Sequence, residues 1–196
     1  MNEMIACINA MRPLSDEINT HLARLIRCQT FKKGEYLLRA GDVSHDFYFV
    51  SQGLLRCYAN CETTGKEATR TFTKEGEFFL LPQNVKQTLP GNEYLHALED
   101  TTVYAMSYID LHSTIEKYLA VYNFLIRLGC QHNSQLREAV SIMLEKSAFQ
   151  KCTWLAKKHP ELTKRVSSKH LASYVGAPEK MIRRYGRYSF WHPCGN

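Results

Sequence analysis

The 196-residue sequence contains no CxxC pair, no GxxxxGK[ST] phosphate loop, no GxGxxG turn and no Ser-His-Asp arrangement. These absences take zinc ribbons, P-loop phosphate chemistry, dinucleotide-dependent redox and serine-type acyl transfer out of consideration. The seven cysteines (Cys7, Cys28, Cys57, Cys61, Cys130, Cys152 and Cys194) are odd in number and scattered, so reduced thiols are expected rather than a secreted disulfide framework. Cys57 and Cys61 are the only close pair, and no second pair completes a tetrahedral metal site. No apolar run reaches the roughly 18–20 residues that cross a bilayer, and the N-terminal segment has an acid at Glu3 and no long apolar core. A cytoplasmic protein with no membrane partner is expected. Internal repeats and low-complexity segments are also lacking.

Charge is present but unevenly placed. From Lys146 onward eleven Lys or Arg face two Glu, a local balance of +9, whereas the first 145 residues hold the remaining 14 basic and 17 acidic side chains, or −3. A near-neutral front and a basic tail point to a polyanion partner for the tail alone.

Along the chain, Ser15 is placed to cap a helix whose first turn holds Asp16 and Glu17 and whose apolar stripe is Ile18, Leu22, Leu25 and Ile26. From Phe31 to Ile109 glycines recur at turn positions (Gly34, Gly41, Gly53, Gly65, Gly76 and Gly91) between β-rich runs such as Phe47–Val50 and Thr101–Met106. Punctuation this regular predicts an antiparallel roll of about eight strands. After Asp110 the period changes. Ile115, Leu119, Tyr122, Ile126, Gly129, Asn133, Leu136, Val140 and Met143 alternate at spacings of four and three, the rhythm of two helices packed along a seam. One helix over 110–146 is expected. Leu119, Tyr122, Ile126, Asn133, Leu136 and Val140 would face a second copy, and Val121, Phe124, Leu125 and Leu128 the roll.

Phe149–His159 reads as an amphipathic helix stopped by Pro160. Beyond it, Ser167 or Ser168 can cap a short helix with Leu171, Ala172 and Val175 inward; Gly176 supplies the turn, and Pro178 opens a second helix with Met181 and Ile182 inward. Glu179, Lys180, Arg183 and Arg184 are left outward. Helix, glycine turn, basic helix is the pattern that enters the major groove of double-stranded DNA, with Ser168, Lys169 and Arg187 completing the candidate contact set.

The order of these features resembles the Crp/Fnr family. The residues that carry the resemblance are Lys33-Gly-Glu-Tyr-Leu-Leu-Arg-Ala-Gly-Asp42, Phe47-Tyr-Phe-Val-Ser-Gln-Gly53, Glu75-Gly-Glu-Phe-Phe79, the long helix and Leu171-Ala-Ser-Tyr-Val-Gly176. The resemblance implies an α+β protein: an N-terminal antiparallel β-roll of the cyclic-nucleotide-binding jelly-roll type (1–109), a dimerisation helix (110–146) and a C-terminal helix-turn-helix domain (147–196). It implies a non-enzymatic homodimer that reads a near-palindromic DNA site, contacts RNA polymerase and takes an effector in the roll, and it places a base-contacting arginine at Arg184.

Two departures qualify these implications. Where cyclic-nucleotide binders of the family carry Gly-Glu and later an arginine, this sequence has Leu80-Leu81 and Glu93-Tyr94. A cyclic phosphate would lose its charge-assisted partner and meet Glu93 instead, and Lys86 could substitute only if its loop were rearranged. The expected effector is therefore a neutral or apolar small molecule lying near Phe78, Phe79, Leu80, Leu81, Glu93 and Tyr94, or none. Secondly, ten residues follow Gly186, too few for a full two-stranded wing. The alternative reading is a sensor or interaction protein of the same lineage that no longer reads DNA sequence. A cupin-like metal site would have only His45 and His96 to draw on in the roll, so no metal or cofactor is expected.

Overall fold

The structure, a computed structural model, describes residues 2–80 and 91–189, with side chains up to residue 184. The chain divides into two compact units, Met1–Asn60 with Arg70–Cys130, and Cys61–Thr69 with Gln131–Asn196.

The first unit opens with α1 (Glu3–Met11), which the sequence reading did not anticipate, and α2 (Asp16–Leu25). The Ser15 hydroxyl accepts from the Ile18 N–H, which is the cap the sequence suggested. Eight strands follow: β1 (Arg27–Phe31), β2 (Tyr36–Leu38), β3 (Asp46–Gln52), β4 (Leu54–Asn60), β5 (Glu67–Lys74), β6 (Phe78–Phe79), β7 (Glu93–Ala97) and β8 (Thr101–Ser107). They form two four-stranded sheets, ordered β1-β8-β3-β6 and β2-β7-β4-β5. Every pairing described is antiparallel.

Strand alternation explains the two cores. Tyr48, Val50, Val103 and Ala105 of the first sheet join Leu38, Leu55, Cys57, Leu95 and Ala97 of the second in one cluster, the inside of the roll. Phe47, Phe49 and Met106 turn the other way, against Met4, Ile5, Ile8, Ile18 and Leu22 of the two N-terminal helices. Both faces of β3 are thus covered, which is why Phe47–Val50 is an unbroken apolar run.

Gly53, between β3 and β4, has φ +97°, and a Cβ there would overlap the Thr101 hydroxyl and lie 2.7 Å from the Asp100 carbonyl oxygen. Gly53→Ala is expected to cost roughly 2–5 kcal/mol, combining left-handed backbone strain with overpacking. The check is a lower urea midpoint for the roll at unchanged slope.

The single helix expected over 110–146 is corrected by the structure. Helix α3 (Tyr108–Lys117) ends at Tyr118, whose dihedrals leave the helical region (φ −131°, ψ 98°), and α4 runs from Leu119 to Glu145. The break is held by α2: the Tyr118 hydroxyl donates to Glu17 (2.7 Å) and its ring meets His21 edge-on (5.4 Å). Ile115, read as the first seam position, therefore lies on α3, packed against the helix–sheet core. The 27 residues of α4 still make a helix about 40 Å long.

In the second unit α5 (Ala148–Lys158) begins with a Ser147–Gln150 capping box. Pro160 does end α5, but it also occupies the first turn of α6 (Pro160–Arg165), a helix the sequence reading missed. Helices α7 (Ser168–Val175) and α8 (Glu179–Ser189) follow, joined through Gly176 in the left-handed region (φ 62°, ψ 43°). Cys152, Leu155, Leu162, Val166, Leu171, Ala172, Val175 and Ile182 are the buried hydrophobic residues of these helices among the described residues.

Candidate nucleic-acid interface and effector region

The Gly176 N–H returns to the Ala172 carbonyl, closing α7, and the Met181 N–H reaches the Pro178 carbonyl (2.9 Å), opening α8. Of the two candidate caps it is Ser167 whose hydroxyl accepts from the His170 N–H (3.3 Å). Ser168 is accordingly the first helical residue, half-buried, with Lys169 exposed beside it. Ile182 is buried and Met181 half-buried, so α8 packs by that side, and Lys180, Arg183 and Arg184 are exposed.

Glu179 is half-buried and engaged: one of its carboxylate oxygens accepts from Arg183 Nε (3.0 Å) and Nη2 (2.7 Å). The Arg183 guanidinium must give up this exposed pair, worth about 0.3–0.5 kcal/mol, to reach an outside group. The α8 backbone includes Arg187, whose side chain lies outside the described residues.

Along α4 the seam candidates are solvent-exposed: Leu119 at 72%, Ile126 at 48% and Val140 at 51%, with Tyr122, Asn133 and Leu136 also exposed. The flank residues Val121, Phe124 and Leu128 are buried in the helix–sheet core, and Leu125 is packed against it. At its other end α4 is tied to α5, where Glu138 accepts from Trp154 Nε1 (3.2 Å) and Lys158 Nζ (3.0 Å). Those two hydrogen bonds, the Lys158 one first, hold the Glu138 carboxyl below its ordinary range. Nothing in the helical periodicity announced this tie.

The effector candidates are dispersed. Phe78 belongs to the helix–sheet core, with ring centroids 5.0 Å from Phe49 and 5.5 Å from Phe124, and Leu80 packs beside it. Phe79 belongs to the roll interior. Leu81 and Lys86 lie outside the described residues. Glu93 and Tyr94 are neighbours on β7, so their side chains take opposite faces. Tyr94 stacks on Tyr58 (4.9 Å, 9° between planes), in an array where the Tyr36 ring stacks on His96 (4.8 Å), its hydroxyl meets that of Tyr58 (3.1 Å) and the Arg56 guanidinium lies over Tyr58.

Burial pushes the Cys57 thiol up to about 12, and Glu93 adds to the shift while Arg70 and Arg56 oppose it. Arg70 and Glu93 therefore lie within electrostatic reach of one buried interior position, a grouping that single-sequence spacing does not reveal. Cys61 behaves oppositely: hydrogen bonds with Thr63 and Thr64 lower it to about 6. The two are separate free thiols, one buried in the roll and one in the turn after β4. Among the described residues no group of three or more His, Cys, Asp or Glu could hold a metal ion, and no helix is long and apolar enough to cross a membrane.

Residues 28–118 match the family model of the cyclic nucleotide-binding domain. Among solved structures, FixK2 from Bradyrhizobium japonicum is 16% identical, with a TM-score of 0.73 over 86% of this chain and 86% of that one. The Thermus thermophilus catabolite activator protein is 17% identical, with a TM-score of 0.56 over 95% and 90%. CLP of Xanthomonas campestris, described as a c-di-GMP-responsive global regulator, is 15% identical, with a TM-score of 0.65 over 91% and 93%. At these identities the likeness is one of fold. No curated protein sequence matches the chain.

Proposed function

We propose that this chain, which has the fold of the Crp/Fnr transcription regulators around a cyclic-nucleotide-binding-type domain, is a homodimeric regulator that binds double-stranded DNA sequence-specifically. The observation that carries the reading is α7–Gly176–α8, with Ile182 anchoring α8 inward while Lys169, Lys180, Arg183 and Arg184 stand exposed on a segment of local charge +9. A helix presented this way suits the major groove, where arginine donates two hydrogen bonds to guanine and lysines neutralise phosphates. Ser168, Glu179 and Arg187 complete the proposed contact set. The working division is a sensor roll over 1–109, a dimerisation segment over 110–146 and a DNA head over 147–196, with output through RNA polymerase.

Selection from a random duplex pool, followed by affinity measurement as salt is raised, tests the reading. One enriched motif with two related half-sites is the expected result. Equal, steeply salt-dependent binding to all duplexes would instead identify a member of this fold that holds DNA without reading it.

The effector is proposed not to be a cyclic nucleotide, because Glu93 and Tyr94 stand where the family's phosphate-neutralising arginine would be expected. Titration calorimetry with cyclic AMP and cyclic GMP should give no heat of micromolar binding. Micromolar affinity for either would overturn the assignment and direct attention to Arg70 as the replacement cation.

A further inference from the structure

Along α4 the exposed apolar row of Leu119, Tyr122, Ile126, Leu136 and Val140 is interrupted by Gly129 and Asn133, which lie about one turn apart. Glycine inside a helix is less favourable than alanine, because it loses more backbone freedom on folding. Nothing in the described protomer requires it at 129: its backbone is not in the left-handed region, and a Cβ built there would meet no atom within 4 Å. Asn133 is exposed, and its amide forms no hydrogen bond among the described residues. Ile126, Asn133 and Val140 follow at intervals of seven, so the three share one heptad position.

We propose that Gly129 and Asn133 restrict α4 to pairing with a parallel, in-register copy of itself, Gly129 letting the two backbones approach and the two Asn133 amides hydrogen-bonding to each other across the seam. The inference rests on the homodimer reading above and goes beyond it by naming what selects the partner. An amide carries both a donor and an acceptor, so two symmetry-related copies satisfy one another at one level of the helix. Sliding one helix by a heptad sets Asn133 against Ile126 or Val140, and antiparallel packing about the middle of the row sets it against Gly129. Each wrong arrangement buries an amide without its counterpart, at the cost of its lost hydration. A wholly apolar helix from another protein fails in the same way, since it brings no polar group to that level. Ile126 and Val140 thus supply burial while Asn133 supplies selection, as where a lone polar residue interrupts a coiled-coil seam. The bare Gly129 lowers the separation of the helix axes at this point, which brings a side chain as short as asparagine within reach of its twin.

Native mass spectrometry of the full chain, mixed with an equal amount of a variant and left to exchange subunits, reads the selection. Asn133→Ile should dimerise on its own, yet its mixed dimers with the parent should fall about fivefold or more below the statistical share, the factor for one buried unpaired amide. Gln135→Ala, altered at an exposed position off the row, should mix statistically. Gly129→Leu meets nothing in the protomer and improves helix propensity, but should weaken the dimer about tenfold or more by holding the backbones apart. On mild oxidation, Asn133→Cys should yield a disulfide between the two residues 133, identified by peptide mapping. Statistical mixing of the parent with Asn133→Ile overturns the proposal, as does a Gly129→Leu dimer that is unchanged or tighter, or an oxidised Asn133→Cys dimer with no link between the two residues 133. A parent that sediments as a monomer fails the homodimer reading and the pairing rule together, whereas a dimeric parent that mixes statistically with Asn133→Ile fails the pairing rule alone.

Discussion

Replacing Leu119, Ile126 and Val140 together by glutamate is expected to leave a folded monomer where the parent sediments as a dimer. All three are exposed in the single chain, at 72%, 48% and 51%, so they contribute little to the protomer's own core, and the buried flank of Val121, Phe124 and Leu128 keeps α4 on the roll. A seam that pairs two copies would have to bury six new carboxylates. Unpaired buried charges cost several kcal/mol each even after relaxation, and the apolar burial lost adds roughly 1.5–3 kcal/mol per side chain. No ordinary dimer interface survives both. Sedimentation velocity reads the outcome, with circular dichroism confirming retained helix and sheet; a triple variant that remains dimeric would place the interface elsewhere.

Arg184→Ala is expected to cost about 1–3 kcal/mol per half-site and to relax preference at one base pair, the loss of a two-pronged contact to guanine. Lys169→Ala and Lys164→Ala should instead weaken all sequences alike and reduce the salt slope by about one unit each. The exposure of Arg184, Lys169 and Lys164 makes the comparison clean, because none of the three truncations opens the head's core. Arg183 is a poorer probe. Removing it also releases Glu179 from its ion pair and leaves an acid facing the DNA. Parallel affinity curves on the selected site and on random duplex separate the cases, and equal loss on both would make Arg184 a phosphate contact.

What could be read from the residues beforehand followed from local chemistry. Gly34, Gly41, Gly53, Gly65 and Gly76 all take positive φ, so the turn punctuation of the roll was visible one residue at a time. The Ser15 cap, the inward Leu171, Ala172 and Val175, and the Gly176 turn were visible for the same reason. What escaped depended on partners distant in sequence. Tyr118 breaks the heptad rhythm because Glu17 and His21 hold it there, and no window around residue 118 contains them. Pro160 was read as a stop, although the same fixed φ that ends one helix suits the first turn of the next. The effector candidates were neighbours in sequence, and strand alternation sent Phe78 and Phe79 to different cores.

The closure of the roll also has a consequence for how the chain is made. β1 completes its sheet by pairing with β8, from Arg27 opposite Ala105 to Phe31 opposite Thr101, and α1 and α2 find part of their core in Val121, Phe124 and Leu128 of α4. During synthesis the first strand must therefore wait, without its ladder partner, until nearly the whole sensor has left the ribosome, and non-local pairing of this kind folds slowly and is prone to aggregate while open. The exposed end of β1, with Arg27 and Cys28, is polar enough to wait in water. The apolar stripe of α4 is made only after the roll can close, so the proposed pairing of two copies along it would bring together finished sensors rather than open sheets.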